Sequence, residues 1–171
     1  MPRTLLQATA FLLGVAIALL FSPMTLQLAR ADTAGGDRFA ELEARLFHEV
    51  NAVRARHYLI PLRRMPELDR IARDHSLDMA HRNYLSHDSP EGANPVDRIT
   101  RGGVDGFTLA AENLGKTNRG DPNREIVQSW LASPDHRRNL LAPPFNATGI
   151  GIARAADGFL VYTQVYVTYP R

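Results

Sequence analysis

The hydrophobic period of this chain changes once, at Pro143-Pro144, and that change decides the class of fold open to it. Upstream, apolar residues recur at steps of three and four. Phe39, Leu42, Leu46, Val50, Val53 and His57 line one face of a helix over roughly 37–57. Its other face carries Glu41, Glu43, Arg45, Glu49, Arg54 and Arg56. Ile60 precedes a proline and is biased toward extended backbone. Pro66 suits the first turn of a second helix, whose apolar line runs Leu68, Ile71, Ala72, His75, Met79 and which should end near Tyr84. Pro95 to Arg101 reads as a short third helix stopped by Gly102-Gly103. Asp121-Pro122 opens a fourth through Ile126, Val127, Trp130 and Leu131, closing before Pro134. Downstream, Thr148 to Ala153 and Phe159 to Tyr166 are rich in glycine, β-branched and aromatic residues, with the hairpin pair Asp157-Gly158 between them. Helices come first and an antiparallel sheet last, so the expected class is α+β with helices packed on a small antiparallel sheet.

The N-terminus reads as an exported protein's leader. Arg3 is followed by the uncharged apolar run Leu5–Phe21 and then by Ala29-Arg30-Ala31, a small-x-small cleavage pattern. The expected organisation is a signal peptide over 1–31, cut after Ala31, a short polar linker over 32–38, and one domain over 39–171. The alternative is an uncleaved N-terminal membrane anchor, because a run of about 17 residues approaches the lower limit for a spanning helix. Cleavage would leave no stable membrane span. It would also remove Arg3 and Arg30 and leave basic and acidic residues balanced, so charge gives no argument for a nucleic-acid partner. The chain has no cysteine, which excludes disulfides, thiolate metal sites and a thiol nucleophile.

Three polar motifs sit at the edges of these elements: Ser86-His87, Ala111-Glu112-Asn113-Leu114 and Ser133-Pro134-Asp135-His136-Arg137-Arg138-Asn139-Leu140-Leu141. Two imidazoles and a carboxylate are the minimum set for an open zinc site or for proton transfer. His48-Glu49 lacks the second histidine one turn later that a zinc protease needs, and Ala52 stands there. Ser86-His87-Asp88 is too contiguous for a triad, whose members must line up through one imidazole. His75 lies on an apolar line and reads as a satisfied core histidine; His48, His57 and His81 read as surface or helix-end residues. His87 and His136, beside turn residues, are the stronger candidates. Glu112 is bracketed by apolar residues, and a buried carboxylate needs a partner. That partner is a metal, a histidine or an arginine; the plain alternative is a structural salt bridge or a cap on backbone amides. Tyr162 and Tyr166 share a strand face and read as packing residues, and Trp130 as a core anchor.

Asn51-Ala52-Val53-Arg54-Ala55 with Leu59-Ile60-Pro61-Leu62, then Leu85-Ser86-His87, Ala111-Glu112-Asn113-Leu114, Trp130 to Leu141 and Tyr162-Thr163-Gln164-Val165, resemble in order the motifs of the CAP superfamily. This is the family of cysteine-rich secretory, antigen 5 and pathogenesis-related proteins, here in what looks like its bacterial, cysteine-free branch. The resemblance covers nearly all of 40–168. It implies an α-β-α sandwich with a central cleft, in which two histidines and two glutamates can hold a divalent metal, usually zinc. Carried over, His87 matches the first histidine and Glu112 the first glutamate. The second glutamate falls on Ser133 and the second histidine on Val161, with His136 as the substitute imidazole; the usual glycine before the glutamate is Ala111. The implied ligand-binding cleft is His87, Glu112, His136, Asn113 and Ser133, with His87, His136 and Glu112 as metal candidates.

The leading expectation for function is a secreted bacterial CAP-domain protein whose polar cleft takes a divalent metal, a lipid or another small or cell-envelope ligand, with no common reaction attached to the family. The alternative is a metal-dependent hydrolase or peptidase, in which Glu112 is third ligand or general base.

Overall fold

The computed structural model describes the backbone of residues 23–170 and the side chains of residues 38–170. Residues 1–22 of the expected signal peptide lie outside the described residues. Helix α1 runs Pro23–Arg56. It takes in 32–38, the stretch expected as a linker: no proline intervenes, and a glycine costs a helix only about 1 kcal/mol. The chain divides into two compact units, Met1–Ala34 and Gly35–Arg171. Among the described residues no helix is long and apolar enough to cross a membrane.

The larger unit continues through β1 (Arg63–Arg64), α2 (Pro66–Arg82), α3 (Pro95–Arg101), β2 (Leu109–Thr117), α4 (Pro122–Ala132), α5 (Pro134–Leu140), β3 (Ala147–Arg154) and β4 (Leu160–Thr168). The sheet order is β1-β3-β4-β2. β3 pairs antiparallel with β4, and β4 with β2; only two-residue β1 runs parallel to its neighbour β3. The expected starts of α2, α3 and α4 hold because local chemistry sets them, whereas α1 begins at Pro23 rather than near 37 and α5 was not expected. Prolines open α2, α3, α4 and α5, and Asn94 and Asp97 close a reciprocal capping box on α3. Asp157-Gly158 makes the expected hairpin, with Gly158 at φ 84°.

β4 is buried from Leu160 to Val167, and its alternation builds two cores. Leu160, Tyr162 and Tyr166 pack with Leu42, Leu46, Val50 and Val53 of α1, Ile126 and Trp130 of α4 and Leu140 of α5. Val165 and Val167 pack with Leu68, Ile71 and Ala72 of α2 and Ile99 of α3, while Val161 packs with Met79 farther along α2. The result is the expected α-β-α sandwich, with Trp130 its anchor on one side and its Nε1–H donating to the Leu114 carbonyl at 2.7 Å. On the other side α2 lies almost backbone-to-backbone on β3, because Gly149 and Gly151 present no Cβ there.

Two residues of the expected polar face of α1 are in fact fully buried. Glu43 accepts from Arg64 at 3.1 Å and from Arg73, tying α1 to α2 around the β1 edge of the sheet. Among the described residues Arg54 has no carboxylate partner: it donates to the carbonyls of Ile60, Leu140, Ala142 and Phe145 at 2.9–3.1 Å. Helical periodicity cannot register such partners, because they come from segments up to ninety residues away. His57, at the end of the apolar line, is exposed because α1 stops at Arg56.

Candidate functional site

Side chains alternate across β2, so two neighbours that read as one polar motif separate onto opposite faces of the sheet. Glu112 is in register with Val165 and looks toward α2 and α3. Asn113 is in register with Gln164 and looks toward α5. Nothing in the linear motif distinguishes them.

Glu112 is 4% exposed. A carboxylate taken out of water needs donors, and they come from separate segments. In the loop after α2, His87 donates its Nδ1–H to Oε1 at 2.9 Å. On α3, Arg98 donates from Nη2 to Oε2 at 2.9 Å, while its Nη1 donates to the Ala93 carbonyl at 2.7 Å. On α2, buried His75 has its Nε2 3.9 Å from Oε1 but donates instead to the Ser86 carbonyl at 3.0 Å. His75 is thus satisfied within the core and also fixes the loop that carries His87.

The three imidazoles are pushed in different directions. The hydrogen bond to Glu112 raises the His87 pKa, against opposition from burial and from the Arg98 charge. Burial lowers that of His75, despite the neighbouring Glu112 charge. Burial, and then the positive charge of nearby His87, lower that of His136. Imidazoles whose pKa values are pushed apart by their surroundings are suited to giving and taking protons or hydrogen bonds.

Helix α5 brings His136 to the β2 edge. Asn113 donates to the His136 carbonyl at 3.0 Å, and Asn139 donates to the Glu112 carbonyl at 3.2 Å and to Asn113 Oδ1 at 3.0 Å. Asn113 therefore holds the scaffold and is fully buried. Ser133 is the joint between α4 and α5, and its side chain makes no hydrogen bond among the described residues. Of the five expected cleft residues, the structure joins His87 and Glu112 directly, ties the His136 backbone to Asn113, and turns Asn113 away from Glu112 onto the opposite face.

As arranged, these residues do not fit a tightly held divalent ion. Among the described residues, no three histidines or carboxylates converge as a metal-holding group. Both Glu112 oxygens are engaged, one of them by a guanidinium. Val161, at the position of the family's second histidine, is core.

Sequence reasoning missed Arg98, although it named an arginine among the partners open to Glu112. The signal was the capping box from Asn94 to Asp97: it fixes the phase of α3, placing Ile99 in the core with Arg98 beside it. A separate groove of about 360 Å³ lies between α1 and α4, lined by Ala52, Val53, Val127 and Leu131 together with Glu49, Arg56, Arg124 and Gln128.

Residues 47–166 match the family described as CAP, the cysteine-rich secretory protein family. The chain is 29% identical over 146 residues to YkwD of Bacillus subtilis, an alignment covering 85% of this chain and 54% of YkwD. It is similar to the structure of an extracellular protein containing an SCP domain from Bacillus anthracis, with 37% identity and a TM-score of 0.66, over 75% of this chain and 41% of that one. An outer surface protein of Borrelia burgdorferi shares the fold, with 21% identity and a TM-score of 0.68, over 76% of this chain and 94% of that one. The chain thus spans about half the length of the Bacillus proteins it matches.

Proposed function

The chain belongs to the CAP family of cysteine-rich secretory proteins, and from that premise we propose that it is an extracytoplasmic binding module whose His87–Glu112–His136 site takes a small polar ligand. The observation that carries the reading is the pairing at Glu112. A carboxylate needed only to hold the fold would be satisfied by Arg98. Here it also orients His87, whose side chain is 49% exposed, so that the charge assembled in the core is presented to solvent. Export is supported by the apolar run Leu5–Phe21 with Ala29-Arg30-Ala31 after it, and by the extracellular description of the Bacillus anthracis relative.

The hydrolytic alternative asks Glu112 to act as metal ligand or general base. Both of its oxygens already accept hydrogen bonds, leaving it poorly placed to take a proton from water. A lipid, the other ligand class implied by the resemblance, has a better match in the apolar groove between α1 and α4 than at Glu112.

The test is native mass spectrometry of the full chain, exported by a bacterial host and incubated with envelope extract, beside His87→Gln and Glu112→Gln. A small molecule retained by the wild type and lost in His87→Gln, with the variant still folded and its thermal stability unchanged in mildly alkaline solution, is the expected outcome. Identical bound species in the wild type and both variants, or none in any, would remove this reading.

A further inference from the structure

The turn that closes α1 holds a residue that the fold does not need. Tyr58 stands at φ 58°, in the left-handed region where a Cβ is strained and glycine is the usual occupant. Its ring gains nothing back from the rest of the molecule: the residue is 99% exposed, and its hydroxyl makes no hydrogen bond among the described residues. Backbone strain kept where nothing packs on the side chain points to a use outside the fold. Two positions on, Ile60 is 40% exposed, and Pro61 after it is exposed as well. Buried Arg54 shows what lies beside this turn. Its guanidinium donates to the Ile60 carbonyl and to those of Leu140, Ala142 and Phe145, which draws the turn against the segment that follows α5. The Arg63 N–H repeats the tie by donating to the Asn146 carbonyl at 2.9 Å. Pro143 and Pro144, exposed in that segment, extend the apolar tip.

The charge of this tip is one-sided. Arg56, Arg63 and Arg137 are exposed and have no carboxylate partner among the described residues, and Arg137 shares a cavity with Ala142 and Pro143. The chain carries no acid between Glu49 and Glu67, or between Asp135 and Asp157. Glu49 lies 3.8 Å from Arg45, Asp135 is paired with Arg138 at 2.9 Å, and Asp157 with Lys116 at 2.8 Å. Of these four acids only Glu67, exposed at the start of α2, is unpaired among the described residues, and the three arginines outweigh it. We propose that this end of the molecule docks on an anionic lipid surface, with Tyr58 and Ile60 entering the headgroup layer while Arg56, Arg63 and Arg137 meet its phosphates. A tyrosine ring suits the membrane–water interface, being apolar in its body and polar at its tip. Arginine stems lie along apolar surface while their heads reach phosphate, and cations are drawn to an anionic leaflet. A protein partner would call for a packed apolar centre; here a few side chains protrude from a turn, and a soft layer accepts them without a pocket. The proposal uses none of the residues around Glu112 and stands apart from the reading of that site.

The experiment is co-sedimentation of the soluble protein exported by a bacterial host with two kinds of vesicle, phosphatidylglycerol mixed with phosphatidylcholine and phosphatidylcholine alone. Tyr58→Gly and the double variant Arg56→Gln/Arg63→Gln are run beside the wild type. Glycine suits the left-handed position, so Tyr58→Gly should fold, and a loss of binding then belongs to the ring. The expected result is binding to the anionic vesicles alone, reduced by salt, roughly fivefold weaker in Tyr58→Gly and roughly tenfold weaker in the double variant. A spin-labelled lipid should broaden the amide resonances of residues 56–63 and 137–144 more than those of β2, which lies at the opposite edge of the sheet from β1. Equal binding to neutral vesicles, anionic binding unchanged in both variants, or broadening centred on β2 would overturn the proposal. Absence of vesicle binding would overturn it too, and a photo-cross-link from position 58 to an envelope protein would then give this surface to a protein partner.

Discussion

Gly151 shows how a residue with no chemistry of its own positions one that has. A Cβ there would fall 2.1 Å from the Arg73 nitrogen and 2.2 Å from the Ala72 carbonyl carbon, which are backbone atoms of α2 that cannot step aside as a flexible side chain would. The missing methyl lets α2 settle onto β3, so that Ser76 donates to the Gly151 carbonyl at 3.0 Å and His75 reaches the neighbourhood of Glu112. Gly151→Ala is therefore expected to cost about 3 kcal/mol, the upper part of the range for overpacking. Gly158→Ala, at a positive φ with open space around it, should cost about 1 kcal/mol. Urea denaturation of both variants checks this, and a Gly151→Ala cost below that of Gly158→Ala would contradict the close approach of α2. His75 itself was legible as a core histidine from its place on an apolar line. Its proximity to Glu112 was not, because that depends on two glycines seventy-odd residues away.

At the scale of elements, α1 ends in an unusual cap. The Leu59 N–H donates to the Arg54 carbonyl at 3.1 Å and the Tyr58 N–H to that of Ala55 at 3.0 Å, with Tyr58 left-handed at φ 58° and 99% exposed. Glycine normally fills this position, since a Cβ there costs about 1–2 kcal/mol. Part of that gain is offset by the greater freedom of glycine in the unfolded chain. Tyr58→Gly should thus stabilise the protein by about 0.5–1 kcal/mol, read as a higher urea midpoint at unchanged m-value; a lower midpoint would mean that the ring is held by a contact. Helix starts were readable in the sequence because a proline or a capping box acts over four residues. β2 was not, because Leu109–Thr117 carries glutamate, asparagine, glycine and lysine with no clean alternation, and it becomes a strand through pairing along its whole length with β4. α5 escaped notice for a related reason: its seven residues are too few to show a period, and its docking relies on Asn113, Asn139 and buried Arg54.

For the molecule as a whole, His87, His75 and His136 set opposing dependences on pH. His87 has a folded pKa raised above its ordinary 6.5, so its contribution is fully present below pH 6.5 and fades as pH rises through the folded value. His75 and His136 have folded values below 6.5, so their contribution is present above that pH and is lost as pH falls through them. His87→Gln should accordingly cost about 0.5–1 kcal/mol in mildly acid solution, a figure reduced for a half-exposed pair, and the cost should shrink toward zero in alkaline solution. Unfolding curves of wild type and variant from mildly acid to mildly alkaline solution measure the difference, and a cost that does not vary with pH would show that His87 and Glu112 do not share a proton-dependent contact.

The chain by itself determined the helices of its first two-thirds, the closing hairpin, the family and the polar residues worth watching, because turn chemistry, capping and short motifs are written within a few positions of one another. Tertiary structure alone decided that β2 takes the edge beside β4, that Glu112 and Asn113 part onto opposite faces, and that Arg98 rather than a third histidine or carboxylate completes the site. Those outcomes depend on strand register and on side chains brought together from α2, α3, α5 and β2, and a pairing across such separations leaves no periodic trace in the sequence.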